Sequence, residues 1–115
     1  MQKRFRLTRS DDFKRVRQMG KSFAHPLVVL VIQSNQTKNL KVGVTAGKAI
    51  GTAVQRNRAK RLLREAMRTL IPNIASGTDL ILVARSKLVT SSLTDVTSAL
   101  TNLFERAKLF SPLDD

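Results

Sequence analysis

The sequence predicts an α+β fold: a small mixed sheet packed with helices, in the order α-β-β-(β)-α-β-α. Three observations predict it. Two β-rich runs, "LVVLVIQS" and "LKVGVTA", stand close together in the first half, and a continuous apolar run, "TDLILVAR", lies far downstream. Amphipathic segments of helical period precede, separate and follow these runs. No internal repeat, low-complexity tract or linker interrupts the 115 residues, so residues 1–115 read as a single domain. That length buries a core without disulfides or a structural metal.

The first helix lies in "SDDFKRVRQMG". Ser10 is its expected N-cap, Asp11 and Asp12 complement the dipole in the first turn, and Gly20 suits a left-handed C′ position. Phe13, Val16 and Met19 share its apolar side. The runs at 27–34 and 40–46, joined by the polar "NQTKN", suggest an antiparallel hairpin. Thr52 and Gln55 then form an S/T-x-x-E/Q capping box, where the second helix starts. Ala59, Leu62, Leu63, Ala66, Met67 and Leu70 recur along it at spacings of three and four, on one face. Pro72 and Gly77 punctuate its end, and the apolar run at 78–85 follows as a buried strand. The last helix carries Leu93, Val96, Leu100, Leu103, Phe104 and Ala107 on its apolar side, with Ser92 as cap and Asp95 in the first turn.

Charge is placed unevenly. Of the 21 Lys/Arg and 8 Asp/Glu behind the net charge of +13, residues 1–68 hold 17 and 3, giving +14, and residues 69–115 hold 4 and 5, giving −1. Such a field attracts polyanions, with nucleic acid the leading partner and an anionic membrane surface the second. The absence of cysteine excludes a thiolate zinc site, a disulfide framework and a cysteine nucleophile. It also fits a reducing compartment. No stretch approaches a membrane span, and a cytoplasmic location is expected.

The stretch "GTAVQRNRAKRLLREAMR" concentrates this charge. Arg56, Arg58, Lys60, Arg61, Arg64 and Arg68 fill the outer half of the helix, opposite the apolar face, and only Glu65 relieves them. An ordinary solvated helix mixes signs in i,i+4 pairs. Here Arg56/Lys60, Lys60/Arg64 and Arg64/Arg68 repel instead, which an anionic partner would offset. Arginine suits bidentate phosphate and base-edge contacts. The Ala- and Leu-rich apolar face lacks Trp and Phe and is needed by the sheet, which weakens the membrane reading.

Other motifs carry less. "GVTAGKA" departs from a phosphate-binding loop: three residues separate Gly43 from Gly47 where four are needed, and Ala49 stands where a magnesium-holding hydroxyl would be. Gly47 and Gly51 read as the turn from strand to helix, and Lys48 adds to the basic surface. His25 stands alone beside Pro26, as a loop residue. No catalytic constellation is present.

"RNRAKRLLREAMR" resembles the signature helix of the bacterial ribonuclease P protein component, and "KVGVTAGKAIGTAV" resembles that family's approach to it. "RLTRSDDFKRVRQMGKSF" is similar through Arg6-Leu7, Asp12-Phe13, Val16 and Gly20. The resemblance covers roughly positions 4–70, with "DLILVAR" a looser third block. It implies a left-handed β-α-β crossover around the Arg-rich helix, against the usual hand. It further implies that the chain binds a large catalytic RNA and helps it remove 5′ leaders from precursor tRNA. The RNA, with magnesium, would do the chemistry, and no cofactor is expected on the protein alone.

By position, Arg56, Asn57, Arg58 and Arg61 would face the catalytic RNA. Lys60 and Arg64 would line the cleft for the single-stranded leader with Phe13, and Lys48 and Arg68 extend the RNA-binding surface. Arg17 and Val31 occupy cleft positions where relatives often carry aromatics. Gly47-Lys48-Ala49 replaces a common Ser-Lys-Lys, and Thr52 a frequent Asn. Weaker aromatic stacking follows, so leader recognition should rest more on charge and on Arg17.

The alternative function is a structural ribosomal or RNA-chaperone protein, which shares the charge pattern and lacks only the processing role. A sequence-specific DNA regulator is disfavoured by the absence of a helix-turn-helix pair, and a protein-only nuclease by the absence of a carboxylate cluster for magnesium. The expected partners are ribonuclease P RNA and precursor tRNA, with no membrane and no obligate protein partner.

Overall fold

A computed structural model describes residues 1–110. The main elements are α1 (Ser10–Met19), β1 (Lys21–Ala24), β2 (Val28–Ser34), β3 (Leu40–Thr45), α2 (Ala53–Leu70), β4 (Thr78–Ala84) and α3 (Leu93–Arg106), with short 3₁₀ turns between them. The α+β class and the element order agree with the sequence. The optional extra strand exists as β1, ahead of the two β-rich runs rather than after them.

The sheet order is β1-β2-β4-β3, which corrects the expected hairpin. β2 and β3 do not pair; β4 lies between them, antiparallel to β2 (Leu30 opposite Leu82) and parallel to β3 (Val42 opposite Leu80). The physical reason is burial. Nearly every residue of β4 is buried, on both faces of the strand, so it takes an interior position between β2 and the edge strand β3. The 35–39 segment accordingly straddles the start of β4: the Asn35 N–H donates to the Gly77 carbonyl (2.8 Å), and the Gly77 N–H to the Asn39 carbonyl (3.2 Å).

One sheet face meets α2 and α3 in the main core, where Leu30, Val42, Leu80 and Leu82 pack with Leu63, Met67, Leu100 and Phe104. The other face carries α1: Val31 and Ile81 lie with Leu7 and Val16, and Phe13, Val29 and Val83 pack at the margin.

The hand of the β3-α2-β4 crossover follows from two directions at Val42. Its side chain points into the α2 layer, and its carbonyl turns away from β4 to accept from the Leu7 N–H at 2.8 Å. For an L-residue in an extended strand, that pair of directions places β4 to the left of β3 when the strands run upward and the helix layer faces the viewer. The crossover is therefore left-handed, opposite to the common rule and as the resemblance implies.

The helix ends agree with the sequence where capping is local. Thr52 accepts from the Gln55 N–H (3.2 Å) while Gln55 Oε1 accepts from the Thr52 N–H (2.9 Å), and Ser92 accepts from the Asp95 N–H (3.1 Å). Ser10 is corrected: it is the first helical residue, and Arg9 precedes it without a side-chain cap. Gly20 is corrected too. Its φ of −82° is ordinary extended backbone, and glycine is needed because a Cβ there would lie 2.7 Å from the Ile32 carbonyl and 2.8 Å from Val31 Cγ1. Gly51 holds φ +132° at the turn into α2, whereas Gly47 meets nothing and is not required. Leu93, assigned to the apolar face of α3, is exposed.

Candidate nucleic-acid interface

α2 presents the predicted basic residues on its outer side because Ala59, Leu63, Ala66 and Met67 fix the inner side in the core. Lys48, in the 3₁₀ turn Lys48–Ile50, and Asn57, Arg58 and Arg61 are exposed; Arg56, Lys60 and Arg64 are half-buried. Among the described residues, Arg68 is the one α2 cation in an ion pair, donating Nε (3.1 Å) and Nη2 (2.7 Å) to Glu65 Oε1. This contact raises the guanidinium pKa and lowers that of the Glu65 carboxyl. Arg58 donates its Nε to the Val89 carbonyl (3.0 Å), which aims the rest of its guanidinium outward.

A narrow cleft lies at the β3 edge, between α1 and α2. Its cavity of about 240 Å³ is lined by Phe13, Val44, Arg64 and the N-terminal residues Met1, Arg6 and Leu7. Phe13 reaches it because residue 43 is glycine: a Cβ there would lie 2.6 and 2.7 Å from ring atoms of Phe13. α1 itself is pinned by a buried carboxylate. Asp79 accepts from Arg15 Nη2 (2.6 Å) and Asn35 Nδ2 (2.8 Å), and Arg15 also donates to Gln33.

Arg64 stands out electrostatically. Its pKa is lowered, first by burial of the guanidinium and then by the like charge of Arg6, although arginine stays protonated all the same. The Nε groups of both Arg6 and Arg64 are buried without a hydrogen-bond partner. Buried donors are ordinarily satisfied, so Arg6 and Arg64 are two cations with unspent donors beside the Phe13 ring.

The structure thus brings Phe13 and Arg64 to one cleft. Arg17 lies exposed one turn beyond Phe13 on α1. Val31 requires correction: it is 6% exposed, buried between α1 and the sheet, and offers the free protein no contact surface. On the same sheet face Val29, Thr45 and Val83 are half-buried and closer to solvent. Arg6 was missed by sequence reasoning as a site residue. Its place depends on a parallel bridge to Val42, for which a lone basic residue near the N-terminus gives no local signal.

Fold and site together define a small RNA-binding protein whose cationic helix occupies a left-handed crossover. A sequence profile of the ribonuclease P family matches residues 1–108. Relatives named ribonuclease P protein component include those of Herpetosiphon aurantiacus, 36% identical over 110 residues (96% of this chain, 89% of the relative), and Exiguobacterium sp., 38% identical over 111 residues (96% of each). Among solved structures, the Staphylococcus aureus RNase P protein superposes with a TM-score of 0.83 at 27% identity, covering 93% of this chain and 98% of the other. The Thermotoga maritima protein gives 0.79 at 28% identity, covering 88% and 96%. The chain belongs to the ribonuclease P protein family. It is the protein subunit of a ribonucleoprotein endoribonuclease of tRNA processing, and its partner is ribonuclease P RNA.

Proposed function

We propose that this subunit holds the catalytic RNA with the N-terminal half of α2 and receives the 5′ leader of precursor tRNA in the cleft at the β3 edge. Arg56, Asn57, Arg58 and Arg61, with Lys48 nearby, contact the catalytic RNA. Phe13 supports a leader base, and Lys60, Arg64 and Arg6 take the leader phosphates, with Arg17 one turn along α1. The observation that carries this reading is the pair of unsatisfied, mutually repelling guanidinium groups beside Phe13. A phosphate in the cleft neutralises that repulsion.

Among the described residues no three His, Asp or Glu side chains converge to hold an ion such as magnesium. The proposal leaves that ion and the chemistry with the RNA. None of the described helices is long and apolar enough to cross a membrane, and the proposed location is the cytoplasm, where precursor tRNA is made.

The test compares precursor tRNAs carrying long and very short leaders, bound by the holoenzyme reconstituted with each variant. Phe13→Ala should weaken the long-leader substrate by about 5- to 150-fold, the worth of one stacked base, and leave the short-leader substrate unchanged. Arg64→Gln should reduce the salt dependence of long-leader binding by about 0.7 in log–log slope, one single-strand phosphate contact. Arg17→Ala measures how far charge substitutes for the missing aromatic. Equal losses on both substrates would remove the leader assignment.

A further inference from the structure

We propose that a second cavity, on the other side of the N-terminal segment from the Phe13 cleft, binds one unstacked nucleotide of RNA. This cavity, about 680 Å³, is larger than the Phe13 cleft of about 240 Å³. It lies at the C-terminal end of α2, far along the helix from Arg56. Its wall is apolar, formed by Phe5, Leu40, Ile71 and Pro72. Its rim is cationic, formed by Arg4, Lys38, Lys41 and Arg68, and among the described residues no carboxylate lines it.

The basic groups are arranged rather than scattered. The Arg4 guanidinium lies 4.6 Å over the Phe5 ring, a stacked pair of the kind on which unpaired bases rest. Lys41 Nζ donates to the Arg4 carbonyl (2.6 Å), which ties the rim to β3. Arg68 spends Nε and Nη2 on Glu65 and keeps Nη1 for a ligand, while Arg4, Lys38 and Lys41 have no acidic partner among the described residues.

An apolar slot with a cationic rim matches the two halves of a nucleotide, a flat base and a phosphate. The cavity is also continuous with the cleft. Met1 lines both, and Arg68 follows Arg64 by one helical turn, about 6 Å along the axis. A strand leaving the Phe13 cleft along α2 reaches this slot directly. The inference does not need the leader assignment, because a leader nucleotide and an unpaired nucleotide of the catalytic RNA present the same chemistry.

The experiment titrates the ¹⁵N-labelled full chain with adenosine 5′-monophosphate and, separately, with ribose 5-phosphate. The expected result is that the adenosine compound shifts the amide signals of Phe5, Leu40 and Ile71 and binds about fivefold or more tightly than the base-free compound. Phe5→Leu, which keeps an apolar side chain in the wall, should abolish that difference. Arg4→Gln, which leaves the core untouched, should weaken both compounds. Equal affinity for the two compounds, or no response at these amides, would overturn the proposal.

Two further arms identify the source of the nucleotide. A Phe5→Leu loss confined to assembly with catalytic RNA assigns it to that RNA, and a loss confined to long-leader precursor assigns it to the leader. No loss in either arm would overturn the functional site even if the mononucleotide binds. Because Phe13 and Arg64 report separately in the same spectra, failure at this slot is distinguishable from failure of the leader cleft.

Discussion

Gly43→Ala is the sharpest test of how the cleft is built. The alanine Cβ would sit 2.6 Å from the nearest Phe13 ring atom, whereas ordinary contact begins at 3.4 Å, so the ring must retreat by at least 0.8 Å. Phe13 rests on this strand between α1 and the sheet, and overpacking of this kind costs about 1–3 kcal/mol. Residue 43 has no positive φ, so alanine also restricts the unfolded chain and returns about 0.4–1 kcal/mol. The net expectation is a destabilisation of up to about 2.5 kcal/mol, read from urea unfolding, with weaker long-leader binding because the ring has moved. In the double variant Gly43→Ala/Phe13→Leu the smaller side chain should recover most of the stability and none of the leader affinity. If the cost of Gly43→Ala were the same with and without the ring, the contact would not be its cause and the account of the cleft would fail. Gly47→Ala is the control, with open space around it and an expected change of zero to slightly stabilising.

Three other outcomes follow from the same geometry. Gly20→Ala should destabilise by about 1–3 kcal/mol, because its Cβ meets the Val16 and Ile32 carbonyls and Val31; unfolding as stable as wild type would mean that the end of α1 can rearrange to make room. Thr52→Ala should cost about 1 kcal/mol by removing the capping-box acceptor, measurable by thermal unfolding and helix content, with Thr52→Ser recovering most of it. The Glu65–Arg68 pair gives a pH signature: the folded Glu65 carboxyl titrates below its ordinary value of 4.5 because Arg68 binds its charged form. Its stabilisation is therefore present above that value and is lost as pH falls through the depressed one, and Arg68→Gln should flatten this part of the stability–pH curve without changing the neutral end by much.

What was legible in the sequence was what short-range physics decides. The start of α2 is written in Thr52 and Gln55, whose groups satisfy each other three residues apart, and its buried side in the spacing of Ala59, Leu63, Ala66 and Met67. The start of α3 is written likewise in Ser92. The sheet order was not legible, because adjacency in sequence favours pairing β2 with β3, and only the two-sided burial of β4 overrides it. Gly20 shows the same limit in miniature. Its type was correctly noticed, but the cause is crowding by the Val16 carbonyl of α1 and by β2 rather than a left-handed φ, and a glycine needed for space looks the same as one needed for conformation. In the candidate site, the family signature located α2 and Phe13, while Arg6 came into view only when the N-terminal segment bridged β3 and set two guanidinium groups together from positions 58 residues apart.

That pairing of Arg6 with Arg64 sets stability against binding, and the opposition can be measured. In the free protein Arg64 is a partly desolvated cation beside a like charge, with an Nε that makes no hydrogen bond. An unmet buried donor costs about 1–3 kcal/mol, so Arg64→Met, which keeps the apolar stem and removes the charge, should raise the stability of the free chain by about 1 kcal/mol. The gain should be larger at low salt, because ions screen part of the repulsion from Arg6. The same variant should bind long-leader precursor more weakly and with a shallower salt dependence, having lost one phosphate contact. A residue kept for packing would move both readouts downward together. Opposite signs would identify Arg64 as a group held in an unfavourable state by the fold until phosphate relieves it, and a loss of stability at low salt would refute that.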